Sequence, residues 1–134
     1  MKKISIALVL LSALVISACK GNKSSPADDI KSIRFKFTEL GRETQFRIAC
    51  DKFDSYFPEG RVKNFTKKAA IDSVMQLLTS MQRAEEGSLP DVRGKIYITH
   101  ANSTTDTLCV GVKVLNYKDA TYQTPQELLV LIQK

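Results

Sequence analysis

The chain carries a single histidine, His100, with Asp106 six residues on and Cys109 three beyond that. An imidazole, a carboxylate and a thiol are the groups from which zinc centres and cysteine-nucleophile sites are built. Zinc sites take three or four such ligands at tight spacing. Here at most three such groups exist. A His100–Asp106 pair across the mouth of a hairpin is the plainer reading, so the expectation is no metal, no cofactor and no catalytic residue. No Gly-rich phosphate loop and no nucleophile elbow is spelled anywhere in the chain. A second stretch with chemical content runs from Asp51 through Asp54 to Glu59 and holds Phe53, Tyr56, Phe57 and Pro58. Its carboxylates do not have the spacing of an EF-hand. Aromatic residues in loops anchor partners, so Phe53, Tyr56 and Phe57 are the candidate binding residues.

The elements that would position these groups follow from hydrophobic period. Ile33, Phe35 and Phe37 alternate with Arg34, Lys36 and Thr38, and Phe46, Ile48 and Cys50 alternate with Arg47 and Ala49. Both runs have the period of two of a half-buried strand. Between them Leu40-Gly41-Arg42-Glu43 has glycine where a type II′ hairpin turn wants it. That turn would set Phe37 against Phe46, Phe35 against Ile48 and Ile33 against Cys50. A helix follows, with Thr66 as its cap and Phe65 and Ala70 as a hydrophobic staple. Ala70, Ile71, Val74, Leu77, Leu78 and Met81 form its apolar stripe, and Gly87 its stop.

Two further strands come from Ile96 and Ile98, then from Leu108, Val110, Val112 and Val114. A three-residue loop, Asn102-Ser103-Thr104, places both apolar sets on one face and sets Ile98 against Leu108, Ile96 against Val110 and His100 against Asp106. A hairpin at Lys118-Asp119 brings Tyr122 back beside Tyr117. Thr124-Pro125-Gln126-Glu127 reads as a capping box that opens a C-terminal helix over Leu128 to Ile132. The order is ββαββ(β)α. One-sided strands imply an α+β, two-layer domain: a mostly antiparallel sheet with two helices on one face.

The first residues are of another kind. Lys2 and Lys3 precede an almost wholly apolar run from Ile4 to Ile16, too short for a comfortable span. The run ends in Val15-Ile16-Ser17-Ala18-Cys19, which resembles the lipobox of bacterial lipoproteins. That resemblance implies a leader over 1–18, removed before Cys19, and acylation of Cys19 as the new first residue. A membrane contact through this lipid anchor, worth roughly 0.8 kcal/mol per buried CH₂, is what it implies for partners. Lys20 stands where an inner-membrane retention signal would carry Asp. The resemblance therefore implies the cell envelope, at the outer membrane facing the periplasm. Residues 19–29 are polar and read as a flexible tether, leaving 30–134 as a single domain.

The net charge of +6 falls to +4 without Lys2 and Lys3. The basic cluster Arg61 to Lys68 is interrupted by Val62, Asn64 and Phe65, so nucleic acid is not an expected partner. Export permits disulfides, and Cys50 and Cys109 are the two thiols left once Cys19 is acylated. Strand parity puts Cys50 on the core face and Cys109 on the opposite one, so the expectation is two free thiols and no disulfide. Asp72-Ser73-Val74 and Asp106-Thr107-Leu108 resemble short O-glycosylation acceptor motifs of Bacteroides-type bacteria, and the second lies at a hairpin. The function expected is a non-enzymatic binding or accessory lipoprotein with an envelope protein partner; the alternative is an inhibitor or immunity-type lipoprotein that blocks a periplasmic hydrolase or toxin.

Overall fold

The structure is a computed structural model, and it describes residues 29–134. The leader, Cys19 and the tether as far as Asp28 lie outside the described residues. Those described form an α+β fold: a six-stranded antiparallel sheet, not closed, with three helices. The strands are β1 (Ile30–Phe37), β2 (Arg61–Phe65), β3 (Val92–His100), β4 (Thr105–Gly111), β5 (Val114–Tyr117) and β6 (Ala120–Gln123). The helices are α1 (Phe53–Tyr56), α2 (Lys68–Thr79) and α3 (Gln126–Gln133). The sheet order is β2-β1-β3-β4-β5-β6.

β1 forms where its alternation indicates, and Ile33, Phe35 and Phe37 are buried. Its expected partner does not exist. Residues 44–49 are irregular and Cys50–Lys52 is a 3-10 turn, so Phe46 to Cys50 is no strand. β1 pairs instead with β2, Ile33 facing Phe65, and with β3, Ile33 facing Ile98. A turn does close at Gly41, where Arg42 N–H donates to the Glu39 carbonyl at 3.1 Å. It is not type II′, which needs positive φ at the glycine; among the described glycines only Gly87 has one.

The β3–β4 hairpin is present two residues out of the expected register: Ile96 faces Leu108 and Ile98 faces Asp106. The loop is Ala101-Asn102-Ser103, closed by His100 N–H to the Thr104 carbonyl, with Ser103 left-handed at φ 68°. The inward faces survive, because both loops have three residues. The alternation from Leu108 to Val114 is not one strand. The chain reverses after Gly111, and Val110 faces Leu115. A Cβ on Gly111 would lie 2.8 Å from the Val114 carbonyl and 3.0 Å from that of Asp91, so only glycine fits there. The Lys118-Asp119 hairpin forms with both residues left-handed. Tyr122 sits opposite Leu115 and Ala120 opposite Tyr117.

α2 ends at Thr79, ahead of Gly87, and its cap position is Lys67, without a side-chain cap. Thr124 does not cap α3 either; its hydroxyl donates to the Gly111 carbonyl at 2.8 Å, and Pro125 holds the cap position. Ile71, Val74, Met75 and Leu78 of α2 and Leu128, Leu129 and Ile132 of α3 join the inward residues of β1, β3, β4 and β5 in one core. A second core gathers Ile48, Phe53, Phe57, Val92 and Cys109, with Cys50 against it. Neighbouring residues of β4 serve the two cores: Leu108 and Val110 the first, Cys109 the second.

Cys50 and Cys109 are joined in a disulfide with Cα atoms 5.6 Å apart. This overturns the expectation of two free thiols. Cys109 does point away from Leu108 and Val110, as parity requires. Cys50 is not bound by parity, because its segment lies outside the sheet and packs in the second core.

Candidate functional site

The segment between β1 and β2 is tied down by three devices. The first is the disulfide. The second is Arg93, 4% exposed, whose five N–H donors are all used. Its Nη atoms fork onto the Asp91 carboxylate at 2.7 and 2.8 Å. Nε donates to the Arg42 carbonyl at 2.9 Å, Nη2 to Thr44 Oγ1 at 2.9 Å and Nη1 to the Val92 carbonyl at 3.0 Å. Asp91 Oδ1 also accepts the Ile48 N–H at 2.7 Å. The third is Asp54 on α1, whose two oxygens receive Lys36 and Lys95, each at 2.6 Å. Hydrogen bonds from Lys36 and then Lys95 hold the Asp54 carboxyl below its ordinary pKa.

These restraints sort the expected binding residues. Phe53 and Phe57 are 0% and 6% exposed and pack together, rings tilted with centroids 5.5 Å apart, so they are core residues and not docking residues. The reason is helical spacing: one turn of α1 sends both rings the same way, into the second core. Tyr56 points out and is 49% exposed. Its partner is Phe46, 53% exposed, packed edge-to-face with ring centroids 5.3 Å apart. The period-two reading assigned Phe46 to an inward strand face; the loss of that strand frees it. An exposed aromatic pair on a restrained segment is what an anchor for a partner looks like. Arg93 was not singled out from the sequence, and a lone Arg two residues after an Asp gives no sign of its burial.

The His100 group stands elsewhere, where the β3–β4 and β5–β6 turns meet. His100 Nε2 lies 3.1 Å from Asp106 Oδ2, a diagonal contact, since Asp106 faces Ile98. Tyr117 donates its hydroxyl to the same oxygen at 3.3 Å, and Lys118 Nζ lies 3.7 Å away. Burial alone would raise the Asp106 carboxyl; the His100 hydrogen bond and the Lys118 charge outweigh it, leaving a net lowering. Burial raises the Tyr117 phenol. His100, Asp106 and Lys118 line an open cleft of about 510 Å³ with Asp29, Ala101, Asn102 and Thr104. Cys109 is committed to Cys50 and is not part of this group. Among the described residues, no cluster of three or more His, Cys, Asp or Glu side chains could hold a metal ion. Thr107 is exposed on β4 opposite Tyr97, and Ser73 is exposed on α2 with its hydroxyl donating to the Ala69 carbonyl.

No family model, curated protein or solved structure matches this chain. Among the described residues no helix is long and apolar enough to cross a membrane.

Proposed function

We propose that the chain is an exported, lipid-anchored envelope protein that works by binding a partner protein and not by catalysis. Phe46 and Tyr56 stand at the centre of the contact. The observation that carries this reading is that exposed pair, held on a segment restrained by the disulfide, Arg93 and the second core. Rigid aromatic anchors lose little conformational freedom on docking, which is where much binding energy is otherwise lost. The disulfide supports the address, because such bridges persist in oxidising compartments outside the cytosol. The lipobox-like run ending at Cys19 supplies the anchor, and Lys20 favours the outer membrane. The same reading takes α2 and α3 as one layer over the sheet, since their buried residues share a core. The segment holding Phe46 and Tyr56 then packs on the other face.

Two measurements test the reading. A Cys19→Ser variant should lose acyl labelling and membrane association; unchanged membrane fractionation would refute the anchor. Affinity capture by the native protein should recover a partner that a Phe46→Ala/Tyr56→Ala variant loses and a Leu89→Ala variant keeps. Leu89 is 59% exposed and lies outside the aromatic pair. Equal recovery by all three would remove the surface.

A further inference from the structure

The two edges of the sheet are treated differently. The outer side of β6 is covered: Ala84 N–H donates to the Thr121 carbonyl, Gln123 N–H to the Gln82 carbonyl, and Arg83 bridges Tyr122. The outer side of β2 has no such strand among the described residues. Every second residue of an edge strand turns its N–H and C=O outward, so β2 offers an open ladder.

The side chains along it are basic more often than acidic. Arg61, Lys63, Lys67 and Lys68 lie on or just after β2, and Lys31, Arg34 and Lys36 lie on the neighbouring β1. Lys36 and Lys68 are paired, with Asp54 and Asp72, and exposed Glu59 precedes β2, so the charge that the edge offers a partner is mainly that of Arg61, Lys63 and Lys67. Arg61 rests over the Phe37 ring, and Lys63 donates to the Leu131 carbonyl, so neither charge faces a carboxylate. Val62, between them, is 52% exposed on the other face of the strand. Charged edges protect proteins against self-pairing. A second copy laid antiparallel on β2 over its full length would set Lys63 against Lys63, which is unfavourable. An acidic strand would meet opposite charge along the same length.

We propose that the outer edge of β2 binds an extended acidic segment of a partner protein by strand addition. The inference is independent of the anchor and of the aromatic pair. The probe is a peptide of alternating Glu and Val, offered to the mature protein together with the same peptide N-methylated at every second residue. The unmodified peptide should bind and should slow hydrogen exchange in 61–65. The methylated peptide should bind at least tenfold more weakly, and an Arg61→Glu/Lys63→Glu variant should lose the unmodified one. Circular dichroism checks that the variant folds, and a Lys67→Glu variant, changed outside the strand, gives a second reading of the charge. Equal binding of both peptides would reduce the surface to unspecific charge and overturn the proposal. So would no binding at all, or binding of anionic phosphatidylglycerol vesicles in preference to the peptide.

Discussion

Arg93 spends every donor it has on one carboxylate, two carbonyls and one hydroxyl. Replacing it by Ala removes those bonds and leaves the Arg42 and Val92 carbonyls and the Thr44 hydroxyl without that partner. Breaking a buried pair from one side costs about 3 kcal/mol or more; since Asp91 is half exposed, the low end is expected for Arg93→Ala in urea denaturation. Lysine should not rescue it, because a point charge cannot replace the planar fork. Asp54 gives a pH signature. Its folded pKa is lowered by Lys36 and Lys95, so its contribution is fully present above the unfolded carboxylate value of about 4 and is lost as pH falls through the folded value. The stability difference between the protein and Asp54→Asn should therefore be constant near neutrality and shrink below about pH 4, as read by denaturation midpoints across pH.

At the scale of elements, the disulfide closes a loop with a sequence separation of 59. Loop-closure entropy alone puts its contribution at up to about 4 kcal/mol, so Cys50→Ser/Cys109→Ser should lower the denaturation midpoint strongly. Non-reducing mass measurement should find the bridge directly. Within α1, Phe53→Ala should cost about 3–5 kcal/mol as a core deletion, and the exposed Tyr56→Ala within about 0.5 kcal/mol. β1, α2, α3 and the inward faces of β3 and β4 follow from periodicity, because each buries one face of a regular element. β2 is hidden: the positions opposite Phe37 and Phe35 carry Arg61 and Lys63, whose charged ends lie over the Phe37 and Phe65 rings, so no alternation shows. The β4–β5 reversal is hidden because its one marker, Gly111, sits within an unbroken alternation of Leu108, Val110, Val112 and Val114. Phe46 to Cys50 alternates like a strand and yet packs irregularly, because Ile48 and Cys50 are claimed by the second core. Of the candidate site, Tyr56 was legible and Phe46 was not, since its exposure depends on that missing strand.

For the whole molecule, the described residues set apart three regions: the restrained aromatic pair, the His100 group between two turns, and the basic open edge. A surface that keeps its shape when free loses less on docking, and the segment of the aromatic pair is held by the disulfide, Arg93 and the second core. The direct test places a photocrosslinking phenylalanine analogue at position 56 in cells and irradiates them. The expected result is one discrete adduct with an envelope protein, lost when Phe46→Ala is added and absent when the analogue sits at position 130, exposed on α3. No adduct from position 56, or the same adduct from position 130, would contradict docking through Phe46 and Tyr56.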